Sequence, residues 1–239
     1  MTLPPAGQAP DKGPLVAAMF DRIAPRYDRL NRLLSLGIDG AWRREALAAA
    51  LADGPARVLD VATGTADMAL LLKRARPETQ VIGVDFAETM LQVGRAKVAR
   101  LGLEVSLQRA DALALPFADA SFDALTVAYG LRNFADVERG LAEMRRVLRV
   151  GGRLVVLEFP PPPANLAGRA LRWYGRHVMP MIGGWISGDR TAYAYLPAST
   201  EAFLAPAELS AAIAAAGFAR VQHRLQSFGV SALHVGVAV

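Results

Sequence analysis

The sequence predicts a single α/β domain on a doubly wound, mostly parallel sheet with an antiparallel hairpin at one edge. Three observations carry that prediction. Short apolar runs alternate with helical segments from residue 57 to residue 159, the signature of βαβ units with helices on both faces. The first of these runs, RVLDVATGT, passes straight into a glycine-containing turn. The chain has 239 residues, 53% of them hydrophobic, which is enough to bury one sizeable core.

Taken in order, residues 1–13 read as a Pro/Gly-rich mobile tail without the apolar stretch or basic leader of a signal peptide. Residues 14–239 form the domain, and within it residues 14–52 make a helical N-terminal lid. Helices are expected over Val16–Leu34 and Gly40–Leu51, where Leu30, Leu33 and Leu34, then Trp42, Ala46 and Ala49, recur at helical spacing. Ser35-Leu36-Gly37 separates the two. Strands follow in RVLDV and over Gln80–Asp85, Glu104–Arg109, Phe122–Ala128 and Arg153–Phe159. Helices are expected over Ala66–Arg76, Glu88–Arg100 and Asp136–Leu148. Right-handed crossovers between parallel strands make such a sheet doubly wound. Pro160–Pro163 end the alternation, and residues 160–205 form an insert expected to cover the substrate. A helix over Pro206–Ala216 and strands at Arg220–Leu225 and Ala232–Val239, joined by a Ser/Gly turn, complete the chain as an edge hairpin.

Composition excludes several chemistries. With no cysteine, a disulfide framework, a thiolate zinc site, an iron–sulfur cluster and a cysteine nucleophile are all ruled out. The three histidines, His177, His223 and His234, are too scattered to suggest a metal cluster, so no metal is expected. No stretch approaches the roughly 20 apolar residues of a membrane span. The net charge of +5 is dispersed and reads as a basic surface rather than a nucleic-acid footprint. The cytoplasm is the expected location.

In an open α/β sheet, ligands bind beyond the carboxyl ends of the strands. The loop Thr63-Gly64-Thr65-Ala66-Asp67 lies there, at a strand-to-helix turn whose free N–H groups favour an anionic group. Asp85 ends the second strand 21 residues after Gly64 (85 − 64), close to the roughly 20 expected of a carboxylate that holds ribose hydroxyls. A dinucleotide site calls for three glycines and a P-loop for Gly-Lys-Ser/Thr; neither is present. A ligand with ribose and adenine but no phosphate fits better, and S-adenosylmethionine is such a ligand. Its carboxylate suits the loop, while Asp60 and nearby carbonyls suit its ammonium and sulfonium charges. Asp111, closing the third strand, is placed to accept from the adenine amine, with the Ala112 N–H facing a ring nitrogen. On spacing alone a nicotinamide or flavin cofactor and a non-binding fold remain open, and Asp85 can also be read as a helix cap.

Several segments resemble the ubiquinone/menaquinone biosynthesis C-methyltransferases, a family of class I S-adenosylmethionine-dependent methyltransferases with a Rossmann-like fold. They are MFDRIAPRYDRLNRLLSLGID..WR (19–43), LDVATGTAD (59–67), Asp85, ADALALPF (110–117), FDALTVAYGLRN (122–133) and RVLRVGGRLVVLEF (146–159). The FDxxAxxYDxxN element with YGLRN and the LEF strand end is the specific part; the glycine loop is shared by many methyltransferases. The resemblance implies donor contacts at Thr65, Asp85, Asp111 and Ala112. With the rest of the loop, the cofactor-binding set is Asp60, Thr63, Gly64, Thr65, Asp85, Phe86, Asp111 and Ala112. It implies S-adenosyl-L-homocysteine as product and a polyprenylated demethylated quinol as substrate, demethylmenaquinol ahead of a ubiquinone precursor. Two departures are visible. Ala66, expected to open a helix, stands where many members have glycine, and Ala128 where some have serine. A methyltransferase for another phenol or a sterol is the nearest rival reading.

Carbon methylation of a quinol requires a group that stabilises a developing phenolate. Arg132 and Asn133, after the fourth strand, are the candidates by class analogy, with an Arg132–Asp136 loop-holding pair as the alternative. In the insert, Leu166, Ala170, Trp173 and His177 recur on one helical face after a plausible N-cap, Asn165. His177 is accordingly either a proton acceptor or a core histidine. Tyr27, Tyr129, Asp189 and Tyr195 are the substrate-pocket candidates, with Asp28 beside Tyr27 closing over the donor. A lipid-soluble quinol implies approach to the inner face of a membrane, for which Arg169, Arg172 and Arg176 beside Trp173 are a candidate contact, with an ordinary solvated face as the alternative reading. The oligomeric state stays open, a homodimer included.

Overall fold

In the computed structural model, which describes residues 12–181 and 190–239, seven strands form one sheet. They are β1 (Arg57–Val61), β2 (Gln80–Asp85), β3 (Val105–Arg109), β4 (Phe122–Ala128), β5 (Leu148–Glu158), β6 (Phe218–Gln226) and β7 (Ser231–Ala238). Their order is β3-β2-β1-β4-β5-β7-β6. The first five run parallel, and β7 joins β5 antiparallel with β6 outside it. The doubly wound sheet and its edge hairpin are therefore as the sequence predicts.

Alternation along the central strands feeds two cores. Leu59, Val61, Leu125 and Leu154 pack on one face with Leu141 and Met144 of α6 (Val137–Val147) and Leu209 and Ile213 of α9 (Pro206–Ala215). Val58, Ala124 and Val155 pack on the other with Trp42 and Ala46 of α3 (Asp39–Leu51) and Met68 and Leu72 of α4 (Asp67–Ala75). Burial on both faces is why these strands read as near-continuous apolar runs. α5 (Glu88–Leu101) follows β2 and packs against β3.

The lid differs from expectation in two ways. The helix expected to run from Val16 to Leu34 is divided into α1 (Lys12–Ile23) and α2 (Tyr27–Leu34) by a 3-10 turn, Ala24–Arg26. Pro25 in that turn has no N–H to continue an α-helical ladder. Lys12 and Gly13, assigned to the tail, instead begin α1. The Lys12 ammonium is buried and donates to the carbonyls of Arg132 and Phe134, both at 3.0 Å. Residues 1–11 lie outside the described residues. Val16, Met19 and Ile23 of α1 join Leu30 and Leu34 of α2 in a separate small core with Ala192 and Tyr195 of α8 (Arg190–Glu201).

β5 starts at Leu148, five residues before the expected Arg153, because the pairing with β4 continues past an irregularity between Phe122 and Ala124. In the insert, Asn165 caps α7 (Leu166–Trp173) as expected, its Oδ1 accepting from the Gly168 N–H at 2.9 Å. The helix continues into a π-helical turn, Tyr174–Val178.

Candidate active site

A cavity of about 330 Å³ lies over the carboxyl ends of β1 to β4. Gly64, Asp85, Phe86, Asp111 and Ala112 line it, and Val16, Ala17 and Phe20 of α1 roof it. Gly64 turns at φ +57°, and a Cβ there would meet nothing within 4 Å, so the space beside it is open. Asp85 accepts from the Gly64 N–H at 2.7 Å through one oxygen and from the Ala87 N–H at 2.9 Å through the other. Burial pushes its pKa up, and the N–H donors from Ala87, Gly64 and Phe86 oppose that. Each oxygen keeps a further lone pair, so the same carboxylate shapes the loop, holds the Ala87 N–H ahead of α5 and still faces the cavity. Asp111 is exposed, with Oδ1 accepting from the Leu113 N–H at 2.9 Å. The Arg109 guanidinium lies 5.3 Å from the Phe86 ring centroid.

Three residues of the expected binding set sit behind the wall instead of in it. Asp60 is 1% exposed, and its two oxygens accept from Thr63 and Thr126 hydroxyls, both at 2.6 Å. Burial pushes its pKa up to about 6. Asp60 and Thr63 thus brace the loop from below. The Thr65 hydroxyl donates to Asp28 of α2 at 2.5 Å. The Lys97 ammonium of α5 reaches Asp28 at 2.9 Å and Thr65 at 3.1 Å, and pairs with Asp67. This cluster clasps the lid to the glycine loop, and the sequence carried no local sign of Lys97. Ala66 does not open α4 but precedes it at φ +68°, a conformation that favours glycine. Ala62 and Tyr129, at the ends of β1 and β4, also have positive φ, +52° and +61°.

A second cavity, of about 170 Å³, adjoins the first and is lined mainly by apolar groups, among them Met19, Ile23, Trp42, Phe159 and Leu171. Phe20, Tyr27 and Tyr129 belong to both cavities. Tyr195 is in the wall, 7% exposed, and its hydroxyl has no partner among the described residues. Arg132 lines this cavity, yet its Nη1 donates to Glu158 at 2.6 Å and to the Tyr129 carbonyl at 2.5 Å. The ion-pair partner is therefore Glu158 at the end of β5, not Asp136, which caps α6 by accepting from the Arg139 N–H. Asn133 turns to the first cavity, its buried Oδ1 unpartnered among the described residues.

His177 is exposed. It stacks on Trp173 outside the protein, while Leu171, Tyr174 and Gly175 face the cavity. The expected base is thus on the wrong face: Leu166, Ala170, Trp173 and His177 do share one helical face, but that face is exposed. Asp189 lies outside the described residues. Of the basic stripe, Arg176 pairs with Glu201 and Arg172 donates to the carbonyls of Pro162 and Pro163. No group of three or more metal-ligating side chains occurs among the described residues.

A doubly wound sheet with a cavity over its switch point defines the class first. Among solved structures, a SAM-dependent methyltransferase of Thermotoga maritima superposes with a TM-score of 0.65 at 21% identity, covering 94% of this chain and 100% of that one. The chain belongs to the ubiE/COQ5 methyltransferase family, which matches residues 8–238. It is 57% identical over 218 residues to the demethylmenaquinone methyltransferase of Thermus thermophilus, covering 91% of this chain and 99% of that protein. The demethylmenaquinone methyltransferase of Deinococcus radiodurans is 52% identical over 233 residues, covering 98% and 96%.

Proposed function

We propose that this methyltransferase moves a methyl group from S-adenosylmethionine to a ring carbon of a polyprenylated quinol, demethylmenaquinol ahead of a ubiquinone precursor. One observation carries the reading: a cavity with Asp85 and Asp111 in its wall adjoins an apolar cavity, and Tyr27 and Tyr129 are common to both. The first fits the donor. Open space beside Gly64, the spare acceptor capacity of Asp85 and the Asn133 amide oxygen, unpartnered among the described residues, match a ligand with a carboxylate, ribose hydroxyls and an amine. The bound donor supplies an electrophilic methyl on a sulfonium. The second cavity suits a flat ring with an isoprenoid tail, and Tyr195 offers a hydroxyl to a ring oxygen.

Two relatives above half identity named as demethylmenaquinone methyltransferases support the choice of quinol. No helix among the described residues is long and apolar enough to cross a membrane. A prenyl tail would then be reached from a peripheral position at the inner face. The outer side of α7, where Leu166 and Trp173 are exposed, supports contact there.

The test is transfer of radiolabelled methyl to a panel of reduced demethylated quinones. Labelling of the menaquinone precursor is expected; labelling of none removes the quinol reading. Asp85→Ala should weaken S-adenosylhomocysteine binding about 30- to 1000-fold, as loss of charge-assisted bonds to ribose predicts. Calorimetric titration showing wild-type affinity would end the assignment of Asp85.

A further inference from the structure

We propose that Arg43 is the cation that faces the ring oxygen of the quinol as negative charge develops on it. The inference rests on the quinol reading above and concerns the junction of the two cavities. Arg43 lies on α3, lines the apolar cavity, and holds its guanidinium 5.2 Å from the ring centroid of Tyr129. Since Tyr129 borders both cavities, that places a positive charge where donor and acceptor must meet.

Arg43 and Arg132 are both cations in the wall of this cavity, and they differ in what already neutralises them. Arg132 is closely bound to Glu158 and to a backbone carbonyl. The Arg43 side chain is 13% exposed, and its nearest carboxylate among the described residues, Asp39, stands 3.6 Å from Nε, too far for a hydrogen bond. Asp39 is itself occupied by the Ser35 hydroxyl at 2.8 Å. The Nη groups of Arg43 donate no hydrogen bond among the described residues. The other titratable groups acting on it are Tyr27 of α2, Asp67 of α4, Tyr129 just after β4 and the buried Asp60 of β1.

A guanidinium largely withdrawn from water with unused donors is set to complete its hydrogen bonding with an oxyanion. In the proposed reaction the quinol hydroxyl gives up its proton, and the ring carbon bonds to the methyl as the carbon–sulfur bond breaks to a neutral thioether. The ring carbon then loses its own proton to restore aromaticity, so the oxygen is reprotonated and one proton is released overall. Arg43 acts on the first stage, where the oxygen gains charge.

The test separates this role from packing. Arg43→Met should slow single-turnover methyl transfer about 100-fold, the usual loss for one such donor, while S-adenosylhomocysteine affinity stays within about two-fold, since Arg43 is not in the donor cavity's wall. The acid limb of the pH–rate profile should move up by at least about one pH unit. Arg43→Lys, which keeps the charge, should leave that limb in place. An independent readout is 1-naphthol bound with S-adenosylhomocysteine, whose ionisation is followed by absorbance. It should ionise at least about one pH unit higher in Arg43→Met than in wild type, and at lower pH in Asp39→Asn, which removes the counter-charge. If Arg43→Met does not fold, naphthol ionisation unchanged in Asp39→Asn overturns the proposal. So does a folded Arg43→Met with wild-type rate and profile. Wild type that methylates no quinol overturns the substrate reading itself.

Discussion

Arg132 shows how a residue's surroundings change the experiment that can interrogate it. Its side chain is 5% exposed beside a Glu158 side chain that is 2% exposed. Removing one partner of such a pair leaves an uncompensated buried charge, typically at a cost of about 3–5 kcal/mol. Arg132→Met should therefore lower stability by that amount, and Arg132→Met with Glu158→Gln should recover most of it; urea unfolding of the two proteins checks both. Equal instability in single and double variants would show that the pair is not the reason. The sequence singled out Arg132 as the phenolate-stabilising candidate, and it lines the apolar cavity, but its ion-pair partner lies 26 positions along the chain and not at Asp136. Glu158 was visible only as the acid that ends an apolar strand. Likewise Asp85 was legible because carboxylate and glycine lie at a fixed spacing, whereas Lys97 and Arg43 matter through contacts across helices that no local pattern encodes.

At the scale of elements, the donor cavity depends on how closely the ends of β1 and β4 approach. A Cβ on Gly130 would stand 2.4 Å from the Ala62 Cβ, although the φ of Gly130, −104°, is open to any residue. The requirement for glycine is thus purely steric. Gly130→Ala should force the two loops apart, lowering stability by about 1–3 kcal/mol as overpacking does, and weakening S-adenosylhomocysteine binding at the same time. Thermal melting and calorimetry would measure the two effects, and an unaffected affinity would mean that the loops move without disturbing the cavity. The strands and most helices were legible because periodicity reports burial directly. The early start of β5 and the inclusion of Lys12 in α1 were not, since each is decided by long-range packing, whereas the break at Pro25 has a local cause that the helical spacing running across it hides. Lys12 is a lysine in a Pro/Gly-rich stretch until α1 lies over the carbonyls of Arg132 and Phe134.

For the whole molecule, two buried groups set opposing pH responses. His234 on β7 is 1% exposed, its Nε2 contacts the Pro206 carbonyl at 3.0 Å, and burial lowers its pKa from 6.5 to about 4. The unfolded chain takes up that proton first, so this group removes stability as pH falls from 6.5 to about 4. Asp60, raised from 3.8 to about 6 by burial, keeps its proton in the folded state. Its contribution is present below pH 3.8 and is lost as pH rises through about 6. Shifts of this size are worth about 3 kcal/mol apiece, and they cancel over much of the range from pH 4 to 6. Relative to wild type, His234→Gln should make stability fall more steeply with rising pH there, and Asp60→Asn should make it rise. Urea midpoints at several pH values measure the slopes; unchanged slopes in both variants would show that neither group titrates on unfolding.

The strand order has a consequence for biosynthesis. The edge of β5 that β7 eventually covers is complete at residue 158, and β7 begins 73 residues later (231 − 158). At about 5–20 residues per second, a nascent chain would leave that apolar edge unpaired for about 4–15 seconds while the insert, α8, α9 and β6 emerge from the ribosome. Unpaired edges of this kind template association with other chains, so polysomes crowded with half-made copies are where this protein is most exposed to aggregation and most in need of a chaperone.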